Sequence, residues 1–424
     1  MERIYSHSSV VSSSRYLAAN NSIFAMETRK LVFQGILIAG LFAIAYGISF
    51  VPSSSYSEAR TIGIEVASFK ELSDRFVALT KEKGARYAFE VLKQAKLPPN
   101  TDIHFLGHAI GDELYKQKGV NGILDCTEDN RNACSHSITV GAFVEFGSEA
   151  LPMIRDACNR APGGSGAYTM CYHGMGHGVF VYFGYSLPET VAACKKTGTE
   201  EHQYEEYSQC VGGAIMELVG GGGHNPELMA VARKRYFSVL DPLAPCMNDM
   251  IPEETRVFCF LYLTPRLWEL AGIDIGHPDP EQFPDAFKFC DVIPHERQRL
   301  RDACFGSFGK EFVILPGARD FRRIENFTNE EFALSASWCG LAGLEDGREA
   351  CIGDAVASVF WGGENNPRAA FRFCSIITDN GMNRACFKRL AADIAKYISD
   401  NRDRRRLCLM VPKEFQSDCS KNSR

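Results

Sequence analysis

The hydrophobic and polar positions divide the chain into an uninterrupted apolar run and a long region with helical spacing. Residues 31–51 carry no charge. At about 1.5 Å per residue, a helix of this length matches a hydrocarbon core about 30 Å thick. From Ser68 onward, apolar residues recur at helical spacing, and Ser68 with Glu71 forms a capping-box pattern. The pattern predicts one membrane-spanning helix followed by an all-α domain.

Charge around the apolar run predicts its orientation. Arg29 and Lys30 directly precede it, which places the N-terminus in the cytoplasm. Retention as a signal anchor is favoured, although cleavage near Ala45 would instead release a secreted protein. The predicted parts are a cytoplasmic tail at 1–30 (26–30 if translation starts at Met26), a transmembrane signal-anchor helix at 31–51, a linker at 52–65 and an extracytoplasmic domain at 66–424.

Cysteines organise the predicted extracytoplasmic domain. All 16 follow residue 125 and form eight consecutive short-range pairs. An even count in regular pairs, beyond a predicted membrane anchor, favours disulfides over scattered core thiols or zinc ligands, and no Cys-x-x-Cys occurs. The simplest pairing joins neighbours, although spacing alone leaves the connectivity open. The pairs are Cys126 with Cys134, Cys158 with Cys171, Cys194 with Cys210, Cys246 with Cys259, Cys290 with Cys304, Cys339 with Cys351, Cys374 with Cys386, and Cys408 with Cys419.

The spacing of the pairs predicts a repeat architecture. Successive second cysteines are 33 to 49 residues apart, which accommodates two helices and two loops. The fold class predicted is therefore all-α, a solenoid-like array of disulfide-stapled helical hairpins behind the N-terminal membrane helix. The cysteine layout resembles that of secreted Sel1-like repeat proteins, which are relatives of tetratricopeptide arrays. That resemblance concerns architecture and implies no functional residue.

Helix boundaries are predicted from capping residues. Ser186 and Glu189 form a capping-box pattern at the start of the helix that carries Cys194. Asn225-Pro226 and Asn366-Pro367 follow glycine-rich stretches, so we expect glycine to end one helix while Asn caps the next.

Histidines provide the best indication of chemistry. His104 and His108 align with His173 and His177 when the second cysteines are set in register, and His136 occupies the matching position between them. A spacing of four residues puts both rings of a pair on one helix face. If the three helices are neighbours, the five rings share one strip.

An i,i+4 histidine pair suits zinc, copper or iron. Asp112, Glu145, Glu217 and His224 are possible partners of these ligands. Haem is less favoured, and it would need two axial histidines from different helices, since no Cys-x-x-Cys-His occurs. Two alternatives remain open, namely core hydrogen bonding between helices and a metal-free acid–base site.

Composition narrows the functional classes. The net charge of −6 and the lack of a basic domain argue against nucleic acid as a partner. No nucleophile elbow, phosphate loop or dinucleotide fingerprint occurs in a suitable context. Two hypotheses remain: a metalloprotein or metal-dependent enzyme anchored to the membrane by residues 31–51, and a non-catalytic scaffold that binds a protein or peptide. Whether the protein is an enzyme stays open at this stage.

Overall fold

The structure, a computed structural model, describes most of the chain beyond the predicted membrane segment. The described ranges are 53–127, 129–161, 164–198, 203–220, 224–362, 367–398 and 400–421. From Ser55 to Arg424 the chain forms one compact unit.

The described residues contain nineteen α-helices and no strand, so the predicted all-α class is confirmed. The helices are α1 (Ser53–Thr61), α2 (Phe69–Lys83), α3 (Ala85–Gln94), α4 (Ile103–Lys118), α5 (Ala133–Phe146), α6 (Ala150–Arg160), α7 (Gly164–Tyr182), α8 (Leu187–Cys194), α9 (Gln203–Val219), α10 (Pro226–Tyr236), α11 (Arg256–Ala271), α12 (Phe283–Asp291), α13 (Gln298–Phe312), α14 (Asn329–Cys339), α15 (Glu345–Gly362), α16 (Pro367–Ser375), α17 (Asn380–Tyr397), α18 (Asn401–Cys408) and α19 (Lys413–Ser420). Short 3₁₀ segments lie between them at Gly119–Asp125, Gly147–Glu149, Glu253–Thr255, Pro280–Gln282, His295–Arg297 and Phe321–Asn326.

The longer helices pack against one another in chain order. Helix α5 lies between α4 and α7, and α9 lies between α7 and α11. The same order continues through α13, α15 and α17, while the shorter helices pack beside them. Residues far apart in sequence therefore meet mainly where consecutive long helices touch.

Eight disulfides connect consecutive cysteines, so the predicted disulfides and the simplest pairing are confirmed. The bonds join Cys126 to Cys134, Cys158 to Cys171, Cys194 to Cys210, Cys246 to Cys259, Cys290 to Cys304, Cys339 to Cys351, Cys374 to Cys386, and Cys408 to Cys419. All sixteen cysteines are thus bonded as the sequence predicted.

The bridges hold neighbouring helices together. In most of them the first cysteine lies at or near the end of a shorter helix and the second lies within the next longer helix, as Cys158 of α6 and Cys171 of α7 do. The partners are 8 to 16 residues apart in sequence. In the chain-entropy model, closing such a loop contributes on the order of 3 kcal/mol per bridge.

The predicted start of α2 is confirmed, although its capping contacts differ in detail. The Ser68 side chain accepts a hydrogen bond from the Glu71 amide, as a capping box requires. The Glu71 carboxylate, however, accepts from the amide of Ala67 and not from that of Ser68.

Two further predicted helix starts are present. Asn225 caps α10 through the Leu228 amide, with a proline in the first turn. Helix α8 follows Ser186 as predicted, but the Ser186 hydroxyl donates to the Glu189 carboxylate instead of accepting from the helix. The predicted cap Asn366 lies outside the described residues.

Glycines allow α7 and α9 to approach each other closely. A Cβ atom placed on Gly176 would lie 1.9 Å from the carbonyl oxygen of Cys210, and one on Gly213 would lie 1.9 Å from the carbonyl oxygen of His173. Both contacts are far inside van der Waals distance, so only glycine fits. Part of the cost of glycine in these helices is thus offset by close packing, which holds the backbone of His173 against α9.

The N-terminal predictions have mixed outcomes. The predicted membrane segment, residues 31–51, lies outside the described residues, and none of the described helices is long and apolar enough to cross a bilayer. The predicted linker at 52–65 contains α1, so it is not an extended spacer. Ala59 of α1 is buried and its carbonyl accepts from the Lys96 amide, which attaches α1 to the domain.

Candidate metal centre

Six histidines from neighbouring helices come together in the interior. The five predicted from their alignment lie on α4, α5 and α7, and all are buried. The sixth, His224, precedes α10 and is only 11% exposed. The neighbouring rings have centroids 4.6 to 6.1 Å apart. The residues are His104, His108, His136, His173, His177 and His224.

His104, His108 and His136 form a triad whose ring nitrogens could reach one ion. Ligand atoms from all three lie within 4.8 Å of one another. The Nε2 atoms of His104 and His108 are 3.1 Å apart. The ring centroid of His136 lies 5.4 Å from that of His104 and 5.6 Å from that of His108. The predicted i,i+4 pair therefore shares its face with a ring from the next helix.

Hydrogen bonds fix the tautomer of one ring of this pair. His104 Nδ1 lies 2.9 Å from the carbonyl oxygen of Asn130, which can only accept, so Nδ1 donates and Nε2 of the neutral ring is unprotonated. His108 Nδ1 lies 3.1 Å from the Ser137 hydroxyl, which can either accept from it or donate to it. His104 Nε2 therefore presents a lone pair, 3.1 Å from His108 Nε2, that can accept from that ring or bind a cation.

A second group contains His177, His224 and Glu217. His177 Nδ1 lies 2.9 Å and His224 Nδ1 lies 3.0 Å from Oε2 of Glu217, which accepts from both. The Nε2 atom of His224 is buried and has no hydrogen-bond partner in the described part of the chain. A histidine that ligates a metal commonly donates its other N–H to a carboxylate or carbonyl. His104, His177 and His224 all show that arrangement.

The Glu217 carboxylate is fully used in hydrogen bonds. Its ligand atom lies close enough to the two rings for all three residues to reach one ion. However, Oε2 accepts from both rings, while Oε1 accepts from the Tyr185 hydroxyl at 2.8 Å and the His224 amide at 3.2 Å. Four donors fill the four lone-pair positions of a carboxylate. In this arrangement Glu217 fixes the orientation of the His177 and His224 rings.

Burial keeps most of the rings neutral. It lowers the pKa of His104 to about 4 and holds the pKa values of His108, His136 and His173 well below their ordinary range. Neutral imidazole is the form that binds metals.

The pKa values of Glu217 and His224 shift in opposite directions. Burial would raise the pKa of Glu217, but the two histidines beside it hold it well below its ordinary value. Burial would likewise lower the pKa of His224, but the Glu217 carboxylate raises it. The second group therefore contains a buried carboxylate anion.

His136 and His173 have unsatisfied nitrogens. Neither ring nitrogen of buried His136 has a hydrogen-bond partner among the described residues. His173 Nδ1 is also without one, while His173 Nε2 lies 3.2 Å from the sulfur of Met216 and 3.3 Å from Nε2 of His177. A buried polar atom without a partner costs about 1–3 kcal/mol. Several such atoms gathered in one place are more typical of a ligand-binding site than of a packed core.

The carboxylates suggested by the sequence differ in how close they lie to the histidine cluster. Glu217 lies within the histidine cluster. Asp112 is half-buried at its edge, where burial raises its pKa and the nearby His224 partly opposes that shift. Glu145 is exposed and accepts from the Tyr115 hydroxyl at 2.5 Å, away from the histidines. The ligand roles of all these residues stay predictions.

A left-handed turn borders the first triad. Asn130, Arg131 and Asn132 have φ values of 57°, 56° and 61°. Residues with side chains rarely adopt this conformation, and each costs about 1–3 kcal/mol unless its surroundings require it. This turn supplies the Asn130 carbonyl to His104 and places Arg131 in the adjoining cavity. Sequence reasoning missed it, because nothing in Asn-Arg-Asn alone specifies three left-handed residues.

A cavity of about 1150 Å³ reaches the histidine cluster from one side. His104, His136 and His173 line it, together with Met216 and Tyr262. The Tyr262 ring packs against His173, with centroids 4.8 Å apart and the ring planes at 39°. Met216 and Tyr262 carried no sequence signal, because their relevance depends on contact between α7, α9 and α11. The cavity could bring a small molecule to the exposed edge of the cluster.

The donor set itself suits a transition metal. Buried histidine and glutamate groups could hold an ion, and imidazole favours zinc, copper, iron or nickel over magnesium or calcium. Comparison with known proteins adds no constraint, since the chain matches no protein-family model, no curated protein and no solved structure.

Proposed function

We propose that the protein is a metal-dependent enzyme whose buried histidine cluster binds zinc, copper or iron. The observation that carries the proposal is the buried triad of His104, His108 and His136, whose ligand atoms lie within 4.8 Å of one another. Both ring nitrogens of His136 lack a hydrogen-bond partner among the described residues, whereas buried polar groups in a packed core are normally hydrogen-bonded.

The first ion is assigned to His104, His108 and His136. His177 and His224, oriented by Glu217, supply a second position beside it, since the ring centroid of His108 lies 5.3 Å from that of His224.

A catalytic role is favoured over a structural one. Structural zinc sites are closed by four protein ligands, whereas catalytic sites keep a position open for water or substrate. Three histidines beside a cavity of about 1150 Å³ match the second description. The ion would supply Lewis acidity or redox chemistry, while the cavity would bind and orient the substrate.

The cellular setting belongs to the same proposal. Residues 31–51 would anchor the chain, with the cysteine-rich domain outside the cytoplasm, and eight disulfides support an oxidising compartment. We also propose that the domain is an array of hairpin repeats. The recurrence of a bridged helix pair, packed in chain order, supports that architecture.

The scaffold alternative has less support. A surface for proteins or peptides would be expected to expose aromatic side chains along the later helices. Among the described residues, the exposed aromatics are Phe69, Phe146 and Tyr182, all in the first part of the chain. The exposed large apolar residues further on, such as Leu240 and Leu409, are aliphatic and scattered.

Elemental analysis of the full-length chain, produced without a histidine tag in an oxidising compartment, tests the metal site. We expect stoichiometric zinc, copper or iron, and loss of the first ion in the double variant that combines His104→Ala with His136→Ala. An ion at a thousand times its Kd should stabilise the wild-type protein by about 4 kcal/mol in thermal unfolding.

The matched control combines His277→Ala with His295→Ala. These side chains are 87% and 75% exposed, so the same number of histidines is removed outside the cluster. Metal content should not change in this control. A well-folded wild-type protein that takes up no ion on reconstitution would refute the proposal.

A further inference from the structure

The cavity beside the metal centre contains an arginine without a carboxylate partner. Arg131 projects from the left-handed turn into this cavity and is half-buried. Its guanidinium lies over the Phe321 ring at 5.0 Å and 3.5 Å from the Ser358 hydroxyl. Among the described residues, no acidic group forms an ion pair with it within 4.0 Å. A partly buried cation normally has an anionic partner.

Two other basic residues that line this cavity are already paired. Arg319 contacts Asp102 at 3.4 Å, and Lys310 contacts Glu311 at 3.0 Å. Of these three cations, Arg131 is the one without an ion pair among the described residues, so its guanidinium is open to an anionic ligand.

Two cations flank the cluster on the side that faces the cavity. Arg131 follows Asn130, whose carbonyl binds His104. The Lys310 ammonium lies 4.5 Å from the centre of the Tyr262 ring, and that ring packs against His173 at an angle of 39°. A metal ion bound by the histidines would add to the positive charge of Arg131 at this end of the cavity.

We propose that the cavity binds a small organic oxyanion, held by Arg131 with Lys310 beside it, whose other end reaches the first metal ion at His104 and His136. This inference rests on the metal centre proposed above and names its substrate class. A guanidinium presents a planar fork that fits a carboxylate or a phosphate ester through two parallel hydrogen bonds. Such a ligand would neutralise Arg131 and lie against the open side of the ion.

Calorimetric titration of the metal-loaded full-length chain tests the assignment. The probes are benzoate and phenyl phosphate, which differ only in the oxyanion. We expect one of them to bind, and Arg131→Gln to weaken that binding by roughly 10- to 100-fold, which is the effect of losing charged hydrogen bonds. The affinity of Arg131→Lys should lie between those of the wild-type protein and Arg131→Gln, because lysine keeps the charge but lacks the planar fork of the guanidinium.

Arg384→Gln is the matched control. Arg384 lines the same cavity but is 66% exposed and paired with Glu414 at 3.0 Å, so its removal should leave affinity unchanged. Stronger binding of benzoate would assign a carboxylate ligand, and stronger binding of phenyl phosphate would assign a phosphate ester.

Two failures are distinguishable by metal content. If the chain holds its ion and Arg131→Gln binds both probes as tightly as Arg384→Gln does, the oxyanion site is refuted while the metal centre stands. If no ion binds, the proposed function fails. Probe binding to that metal-free chain, abolished by Arg131→Gln, would still support the oxyanion site.

Discussion

Two regions of the domain, helices α4–α9 and helices α11–α17, share their backbone packing and differ in their buried polar groups. Gly176 follows Cys171 by five residues, and Gly309 follows Cys304 by five. A Cβ atom on Gly176 would lie 1.9 Å from the Cys210 carbonyl oxygen, and one on Gly309 would lie 1.8 Å from that of Cys351. The same close contact between long helices occurs in both regions.

The side chains beside these contacts are different. In α11–α17, the Arg389 guanidinium pairs with Asp354 and Asp393, and Arg301 pairs with Asp346 at 2.9 Å. In α4–α9, nitrogens of His136, His173 and His224 have no partner among the described residues. Unpartnered buried nitrogens occur in α11–α17 as well, on Trp268 and Arg301, but there they are isolated. The histidine nitrogens differ because they belong to neighbouring rings that could share a ligand.

The largest effect that can test this contrast is acid destabilisation of the metal-free protein. In the unfolded state, a histidine binds a proton below about pH 6.5, its ordinary pKa. In the folded state, His104 has a pKa of about 4 and stays neutral down to about that pH. The unfolded state then binds more protons, so stability falls as pH falls from about 6.5 to about 4. His104 alone accounts for about 3 kcal/mol.

Hydrogen exchange measured by mass spectrometry would show where this loss occurs. Peptides from α4–α9 should lose protection between pH 6.5 and 4, before peptides from α11–α17. The variant His136→Leu removes a buried ring with two unpartnered nitrogens and should reduce the pH dependence. Equal loss of protection in both regions would contradict the contrast.

Glycine substitutions should separate packing from chemistry. Gly176→Ala and Gly309→Ala each force a methyl group onto a carbonyl oxygen, which should cost about 2 kcal/mol in urea unfolding. Only Gly176→Ala should also weaken metal binding, because it displaces the helix that carries His173 and His177. Similar losses of metal affinity in both variants would show that the centre depends on the whole domain and not on the contact between α7 and α9.

The smallest expected effect concerns the carboxylate behind the rings. Glu217→Gln retains the size of the side chain but cannot accept from both His177 and His224 while also accepting from Tyr185. We expect metal affinity to fall about tenfold, or about 1.4 kcal/mol, in competition with a chelator. Glu145→Gln, at an exposed acid bonded to Tyr115, should leave affinity unchanged. If Glu217→Gln left metal affinity unchanged, the Glu217 carboxylate would not contribute to metal binding.

Sequence patterns predicted the elements that depend on local chemistry. Cysteine spacing predicted the disulfides, and capping residues predicted the starts of α2, α8 and α10, because both rely on neighbours along the chain. The i,i+4 spacing of His104 and His108 correctly placed both rings on one face.

Features that depend on helix-to-helix contact were not predictable. Whether Glu217 or Glu145 would lie beside the histidines depended on how α9 and α5 pack, and spacing alone offered both. The linker prediction missed α1, whose weak apolar pattern gains its stability from Ala59 packing onto the domain. The role proposed for Arg131 depends on backbone conformation and on the lack of an ion pair with it among the described residues, neither of which a sequence displays.

The bridges between consecutive cysteines have a consequence for how the protein is made. Each second cysteine follows its partner by 8 to 16 residues, and no bridge encloses another. If the domain is translocated from its N-terminal end into an oxidising compartment, each cysteine would meet its partner before the next pair emerged. Oxidation in the order of synthesis would then favour the native pairing of this sixteen-cysteine domain.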